Sequence, residues 1–211
     1  MNEEYDLVVI GAGSGGLSAA AFAAQLGVRV ALVERKRIGG DCTWSGCVPS
    51  KTLPQTAKVA HQMRTAGRYG LPAAQPTVDL KAVMAHVRDV IDEIAQEESP
   101  EVLRESGIEV VLGEARFVDP HTIVVRPGSP QAAGDMTLNA LRFLIATGAR
   151  PFIPPIAGLD EVGYQTYESI WSLETLPRHL LVVGGGPIGC EMAQAFRRLG
   201  AEVTLLTGRD R

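Results

Sequence analysis

The chain has 211 residues, of which 45% are hydrophobic and 21% charged, as in an ordinary globular protein with a buried core. A net charge of −4 excludes the strongly basic surface that nucleic-acid binding requires, so we predict no nucleic-acid partner. No segment approaches the ~20 apolar residues that cross a bilayer, and the N-terminus MNEEYDL is acidic where a signal peptide is basic. We therefore predict a cytoplasmic protein with no membrane contact.

A strand, a glycine-rich turn, a helix and a second strand are predicted at the start of the chain. Residues 6–10 form a short apolar run typical of a buried parallel strand, and residues 17–25 form an alanine-rich helix. The turn between them has the GxGxxG pattern at Gly11, Gly13 and Gly16. Such glycines let the backbone approach a pyrophosphate, which the amides at the helix N-terminus can bind. The second strand, 28–33, leads to Glu34, whose carboxylate can accept hydrogen bonds from a ribose.

The next feature is a cysteine pair, Cys42 and Cys47, in the segment GGDCTWSGCVPSK. A disulfide is reachable at this spacing with some distortion. A helix predicted over 51–65 puts the pair near a helix N-terminus, and Lys51 adds positive charge; both features favour a thiolate. In a reducing compartment such a pair is more often catalytic or metal-binding than structural. Two independent buried thiols and a metal site are the alternatives, but zinc needs four ligands and the nearest histidine, His61, lies well along the helix, so we predict no metal.

The middle of the chain is predicted to connect two units. A helix over 79–98 has an apolar side made of Leu80, Val83, Val87, Val90, Ile91 and Ile94. Its acidic end, Gln96-Glu97-Glu98, is predicted to be solvated. Three short strands, 108–112, 122–125 and 143–146, are predicted to form a small β-meander. Pro151, Pro154 and Pro155 mark a stiff linker to the second unit.

The second unit repeats the first without a gap. Gly184, Gly186 and Gly189 align with the three glycines of the first turn, and Thr207 takes the place of Glu34. Loss of the acid removes repulsion of a 2′-phosphate and Arg209 could pair with one, which favours NADPH over NADH; the alternative is that Arg209 is a surface loop residue. The basic run at Arg35 is likewise either a solvated loop or a phosphate contact. Cys190, inside the second turn, is predicted to be a small packed residue.

These motifs in this order resemble those of a known family. GAGSGG, Glu34, GGDCTWSGCVPSK, IATGARP and VVGGGPIGCE are similar to the motifs of the pyridine nucleotide–disulfide oxidoreductases, which include glutathione reductase, dihydrolipoamide dehydrogenase and mercuric reductase. The resemblance covers the whole chain, and WSGCVPSK with GPIGCE is most similar to mercuric reductases. It implies an α/β fold: a Rossmann-like FAD-binding domain at 1–150, a parallel sheet with an inserted β-meander, and at 151–211 a linker and the first βαβ part of an NAD(P)-binding domain.

The resemblance also implies roles for individual residues. Cys47 would be the thiol next to the flavin, Cys42 the interchange thiol that attacks the substrate, and Lys51 would tune the flavin. Asp41 stands where the family usually has threonine, so we expect its side chain to point away from the flavin phosphates. The residues that would contact FAD are Gly11, Gly13, Ser14, Gly15, Gly16, Glu34, Arg35, Gly40, Asp41, Cys42, Lys51, Ala115, Ala146, Thr147 and Gly148. Those that would contact NADPH or NADH are Gly184, Gly186, Pro187, Ile188, Gly189, Glu191 and Arg209.

The implied function is electron transfer from NAD(P)H through FAD to a Cys42–Cys47 disulfide and on to a small-molecule disulfide or a mercuric ion. Family members are homodimers whose C-terminal dimerisation domain supplies a histidine–glutamate pair. The sequence stops at Arg211, before that domain, so we expect a fragment with little turnover alone. Two other functions stay open: a non-catalytic FAD- or dinucleotide-binding module, and a flavoprotein oxidase that uses a single thiol.

Overall fold

A computed structural model describes residues 4–128 and 134–208 of the chain. The chain divides into two compact units, one made of Met1–Trp44 and Glu93–Phe152, the other of Ser45–Asp92 and Ile153–Arg211. The domain boundary at residue 150 remains a prediction. No helix within the described ranges is both long and apolar enough to cross a membrane.

The helices and strands alternate along most of the chain, which makes this an α/β protein, as predicted. In chain order they are β1 (Glu4–Ile10), α1 (Ser14–Gln25), β2 (Val30–Glu34), α2 (Gly40–Trp44), α3 (Cys47–Thr65), α4 (Leu80–Glu97), α5 (Pro100–Glu105), β3 (Ile108–Leu112), β4 (Glu114–Asp119), β5 (Thr122–Arg126), β6 (Met136–Ile145), α6 (Leu159–Val162), β7 (His179–Val183), α7 (Pro187–Leu199) and β8 (Glu202–Leu206). Short 3-10 turns lie at Ala66–Tyr69 and Ile170–Ser172.

The first unit contains a six-stranded sheet in the order β3-β2-β1-β6-β5-β4. The strands β3, β2, β1 and β6 run parallel, while β5 pairs antiparallel with both β6 and β4. A meander is therefore present, but it consists of β4, β5 and the first part of β6. The segment 143–146, which we predicted as its last strand, falls at the end of β6, in the part that pairs parallel with β1. The segment 108–112, which we predicted as its first strand, instead extends the parallel part beside β2, where Ile108 lies opposite Val30. Strand β4 was missed because its side chains are mostly exposed and three of its six residues are charged.

Buried residues cover both faces of the central strands, as a parallel sheet requires. On one face the small residues of α1 let the helix approach the sheet closely. The core on this face consists of Val9, Ala12, Ala20, Ala23, Val30, Leu32, Ile38, Ile108 and Val110. The core on the opposite face joins the parallel strands to the meander and consists of Tyr5, Val8, Ala31, Val33, Val111, Ile123, Val125, Leu138 and Ala140.

The second unit contains α3, α7 and the parallel pair β7–β8. Helices α3 and α7 pack against each other. The buried residues of α3 include Leu53, Ala57 and Ala60, and those of α7 are Met192, Ala195, Phe196 and Leu199. The predicted apolar side of α4 is largely correct, since Leu80, Val87 and Ile91 are buried. Met84, which the pattern missed, is buried as well.

Candidate functional site

The first glycine turn is held by close backbone contacts. Gly11 has φ +102°, which L side chains rarely adopt, and a Cβ there would lie 2.3 Å from the carbonyl oxygen of Ala146. A Cβ on Gly16 would lie 1.8 Å from the carbonyl oxygen of Gly11. These two glycines therefore serve packing: they let α1 and the end of β6 lie directly against the turn. The same contact brings Ala146 and Thr147 beside the first glycine of the motif, and Gly148, with φ +74°, follows them.

The other two glycines of the turn, Gly13 and Gly15, have open space where a side chain would lie. A Cβ on Gly13 would meet a single heavy atom within 4 Å, the Cα of Gly40 at 3.8 Å, and a Cβ on Gly15 would meet none. Gly13 is the N-cap of α1, no side chain caps the helix, and its first turn has no acid. The first amides of a helix have no acceptor within the helix, so they are available to an anion. Ser14 is exposed at this end of the helix.

A second pair of glycines lies against the first turn. Gly39 and Gly13 form a bridge, and the Gly39 N–H donates to the carbonyl of Ala12 at 2.8 Å. Gly40 has φ +56°, and a Cβ there would lie 2.6 Å from the Cα of Gly13. A Cβ on Gly39 would instead lie 2.6 Å from the Cβ of Thr43, so close packing requires a glycine at both positions. Asp41, the residue that departs from the family pattern, is exposed in the first turn of α2.

Glu34 is fixed by the backbone around it. Its Oε2 accepts from the Ala12 N–H at 2.8 Å and its Oε1 accepts from the Lys36 N–H at 2.7 Å. A carboxylate offers about four lone-pair sites, so these two bonds leave acceptors for a ribose. Of the other residues predicted to contact FAD, Arg35 is exposed after the strand, and Ala115 is half-buried in β4 opposite Val125.

The cysteine motif spans two helices. Cys42 is half-buried in α2, an element we did not predict, and Cys47 is exposed as the first residue of α3. Helix α3 starts four positions earlier than the predicted 51–65, because Gly46 and Pro49 suit its N-cap and first turn. Both residues are thiols, so the predicted disulfide is not formed in this structure. Cys190 is exposed, and the prediction that it is packed is wrong.

Two contacts in the first unit hold α2. The buried Thr43 hydroxyl donates to Glu98 Oε2 at 2.7 Å, so the prediction that the acidic end of α4 is fully solvated is wrong for Glu98. The Trp44 indole N–H donates to the carbonyl of Ile38 at 2.7 Å, and the Arg37 guanidinium lies 4.0 Å from the centroid of that ring. Neither contact has a local signal in the sequence.

The second glycine turn repeats the geometry of the first. Gly184 has φ +118°, and a Cβ on Gly189 would lie 2.0 Å from its carbonyl oxygen. Gly186 is the N-cap of α7, which has neither a side-chain cap nor an acid in its first turn. Pro187 and Ile188 are exposed in that turn. Thr207, which aligns with Glu34 in the repeat, comes directly after β8, whereas Glu34 is the last residue of β2. Arg209 lies outside the described residues.

An ion pair in the second unit joins the helix of the cysteine motif to the helix of the second glycine motif. Lys51 Nζ lies 2.8 and 2.9 Å from the two carboxylate oxygens of Glu191, a residue 140 positions away. The two side chains are 66% and 41% exposed, so the pair contributes little to stability. It also neutralises the lysine charge that we expected to act on the thiols.

Comparisons with known proteins agree with this geometry. The profile of the family described as pyridine nucleotide-disulphide oxidoreductase matches residues 5–211. The chain is 38% identical over 210 residues to the mercuric reductase of Bacillus cereus, covering 100% of this chain and 32% of that protein. It is 33% identical over 217 residues to the dihydrolipoyl dehydrogenase of Bacillus subtilis (strain 168), covering 100% and 45%.

A solved structure is also similar. The Cu(II) complex of the HOCl-induced flavoprotein disulfide reductase RclA from Escherichia coli has a TM-score of 0.76 and 28% identity, over 96% of this chain and 42% of that chain. The chain therefore spans less than half the length of each of these relatives.

Proposed function

The chain belongs to the pyridine nucleotide-disulphide oxidoreductase family, and from this premise we propose that it works in a flavin-dependent disulfide oxidoreductase. NAD(P)H is the proposed electron donor, Cys42 and Cys47 the redox pair, and a small-molecule disulfide or a mercuric ion the acceptor. FAD, when bound, supplies the exchange between a hydride donor and a disulfide. A reducing compartment such as the cytoplasm suits a pair that cycles between dithiol and disulfide.

The residues of the first turn fit FAD. The space at Gly13 and Gly15 admits a pyrophosphate, the uncapped end of α1 offers amide donors to it, and Glu34 has acceptors left for the ribose. Ala146 and Thr147, which follow β6, lie beside this turn. The fit is one of shape and donor type, which a dinucleotide meets, and the family favours FAD as that dinucleotide.

The second turn fits a nicotinamide dinucleotide by the same argument. A Cβ placed on Gly184 or Gly186 would meet no heavy atom within 4 Å, and the N-terminus of α7 has no side-chain cap. Thr207 in place of an acid removes the repulsion that a 2′-phosphate would meet, which favours NADPH over NADH.

The chemistry of the cysteine pair follows from thiol–disulfide exchange. Reduction of the Cys42–Cys47 disulfide adds two electrons and two protons, supplied by NAD(P)H and solvent, and gives two thiols. The Cys42 thiolate attacks one sulfur of the substrate disulfide, which forms a mixed disulfide and releases the first substrate thiol. The Cys47 thiolate then attacks the Cys42 sulfur, which re-forms the disulfide and releases the second thiol.

The observation that carries the proposal is the ion pair between Lys51 and Glu191. It joins the helix that begins at Cys47 to the helix that begins at the second glycine turn. An exposed pair of this kind adds at most ~1 kcal/mol to stability, so it supports the proposal through the placement of the two motifs on neighbouring helices and not through its strength. The link favours one electron path through both motifs over two unrelated binding turns.

Counting thiols tests the proposal. The purified flavin-loaded protein is reduced anaerobically with NADPH or NADH, and its thiols are titrated before and after. We expect two additional thiols in the wild type and in Cys190→Ser, and none in Cys42→Ser or Cys47→Ser. Bleaching of the flavin without new thiols would instead indicate an oxidase, and no bleaching a non-catalytic binding module.

The same assay tests the ion pair. Lys51→Met and Glu191→Gln should each slow the appearance of thiols by about fivefold, which corresponds to ~1 kcal/mol, with the melting temperature unchanged. The double variant should be no slower than the slower single variant, because both changes remove one interaction. Additive effects would show that the two side chains act separately.

A further inference from the structure

The Trp171 side chain is hydrogen-bonded to Ser45, the residue before the N-cap of α3. It lies in the 3-10 turn Ile170–Ser172 and is 8% exposed. Its indole N–H is shared between two carbonyls, that of Tyr167 at 2.6 Å and that of Ser45 at 3.0 Å. The first bond is local, but the second spans 126 positions and is buried. Both Trp171 and Ser45 belong to the second unit.

The Ser45 carbonyl controls how α3 begins. It shares a peptide plane with the N–H of Gly46, the N-cap of α3, and Cys47 is the first residue of the helix. Gly46 has φ −109° and ψ −108° and gives no side-chain cap, so the glycine itself does little to hold this conformation. A donor that fixes the Ser45 carbonyl fixes the plane from which the helix starts.

Ser50 supports the first turn of α3, and its hydroxyl donates to the carbonyl of Cys47 at 3.4 Å. Ser50 N–H donates to the carbonyl of Gly46 at 2.9 Å, which closes the turn. Pro49, one residue earlier, has no N–H to donate. The favourable field at a helix N-terminus acts within the first turn, so it reaches Cys47 when that turn is formed. An anchor outside the helix therefore matters more here than at a capped helix.

We propose that Trp171 is a positioning residue for Cys47: its indole N–H holds the Ser45 carbonyl, keeps the first turn of α3 formed and thereby holds the Cys47 sulfur at the helix N-terminus, where it reacts. This inference rests on the proposed function, in which Cys47 is one of the two redox thiols. Trp171 acts through the backbone that leads into the helix and not through contact with substrate or cofactor.

Alkylation of the reduced 211-residue protein tests the proposal without flavin turnover. Iodoacetamide is applied at fixed pH, and modification of Cys47 and of Cys190 is followed by peptide mass spectrometry. Both side chains are exposed, so Cys190 is an internal reference. Trp171→Phe, which removes the N–H and keeps an aromatic ring, should slow Cys47 by about two- to fivefold and leave Cys190 unchanged. Ser172→Ala, which removes a neighbouring hydrogen bond to Ser169, should change neither rate.

The direction of the change separates positioning from simple loss of stability. General loosening would speed up alkylation of both cysteines, whereas the proposal requires a slower Cys47 alone. Trp171→His, which keeps a ring N–H donor, should restore part of the rate. An unchanged or faster Cys47 in Trp171→Phe would overturn the proposal.

A measurement on the wild type covers the case in which the variant does not fold. Hydrogen–deuterium exchange at the Ser50 amide should be protected to the level of amides deeper in α3, such as Leu53. Exchange at the rate of a fraying helix end would overturn the proposal. Neither measurement requires NADPH oxidation, so a negative result here leaves the proposed function standing, and the thiol count tests that function separately.

Discussion

Replacing Gly16 by alanine should break the contact between α1 and the first turn. The new Cβ would lie 1.8 Å from the carbonyl oxygen of Gly11, whereas ordinary C···O contacts are about 3.3–3.6 Å. The atom it meets is backbone, so the helix itself must move by roughly 1.5 Å. Overpacking of this kind costs about 1–3 kcal/mol or more, and the better helix propensity of alanine offsets roughly 0.5–1 kcal/mol of it.

Gly15→Ala is the matched control. It lies in the same turn, but its Cβ would meet no heavy atom within 4 Å. We therefore expect this variant to be as stable as the wild type or more stable by roughly 0.5–1 kcal/mol. Urea unfolding of the flavin-free protein measures both variants without a contribution from ligand binding. Equal midpoints for Gly16→Ala and Gly15→Ala would refute the argument from close approach.

Gly13→Ala separates packing from ligand binding. Its Cβ would make an ordinary contact at 3.8 Å with Gly40, so the fold should tolerate it to within ~1 kcal/mol. The methyl group would occupy the space proposed for the FAD pyrophosphate, so flavin retention on gel filtration should fall at least tenfold, or ~1.4 kcal/mol. Full retention would contradict the proposed position of the cofactor.

Two further predictions concern single hydrogen bonds in the first unit. Thr43→Val removes the bond to the half-buried Glu98 carboxylate and should lower the free energy of unfolding by about 1.5–3 kcal/mol. Glu98→Gln keeps an acceptor and should cost less; equal costs would show that the bond contributes only through the carboxylate charge. At the β4–β5 turn, a hydrogen bond from the His121 backbone N–H at 2.8 Å holds the pKa of the Asp119 carboxyl below its usual 3.8. A carboxyl whose pKa is lowered by folding stabilises the fold above its unfolded-state pKa, and this stabilisation is lost as the pH falls through the folded-state pKa. Asp119→Asn should therefore lower the urea midpoint above about pH 5 and have no effect at the acid end. A difference that persists in acid would exclude the carboxylate as its source.

The two strand–turn–helix–strand units could be predicted because their signals are local. An apolar run, glycines at fixed spacing and an alanine-rich segment each report on neighbours in the chain. The boundaries were less accurate: α1 begins at Ser14 and α3 at Cys47, because glycine and proline are tolerated in a first helical turn. Strand β4 was not predicted, because its side chains are mostly exposed on both faces of the sheet and its residues do not alternate regularly between apolar and polar types.

The contacts around the site could not be predicted in the same way. The bonds from Thr43 to Glu98, from Lys51 to Glu191 and from Trp171 to Ser45 join residues 55, 140 and 126 positions apart. From the sequence alone, Glu98 is compatible with an exposed acid, Lys51 with a free lysine and Trp171 with an ordinary core aromatic residue. The three-dimensional arrangement assigns them to the cysteine segment.

The two tryptophans give the cysteine segment an optical signal. They are the only two in the sequence. Trp44 donates its indole N–H to the carbonyl of Ile38, and Trp171 donates its own to that of Ser45. Both fluorophores are thus attached to the short stretch of backbone that carries the first thiol and leads into the second. Intrinsic tryptophan emission of the unlabelled protein is therefore a reporter of that stretch, and stopped-flow fluorescence can follow it.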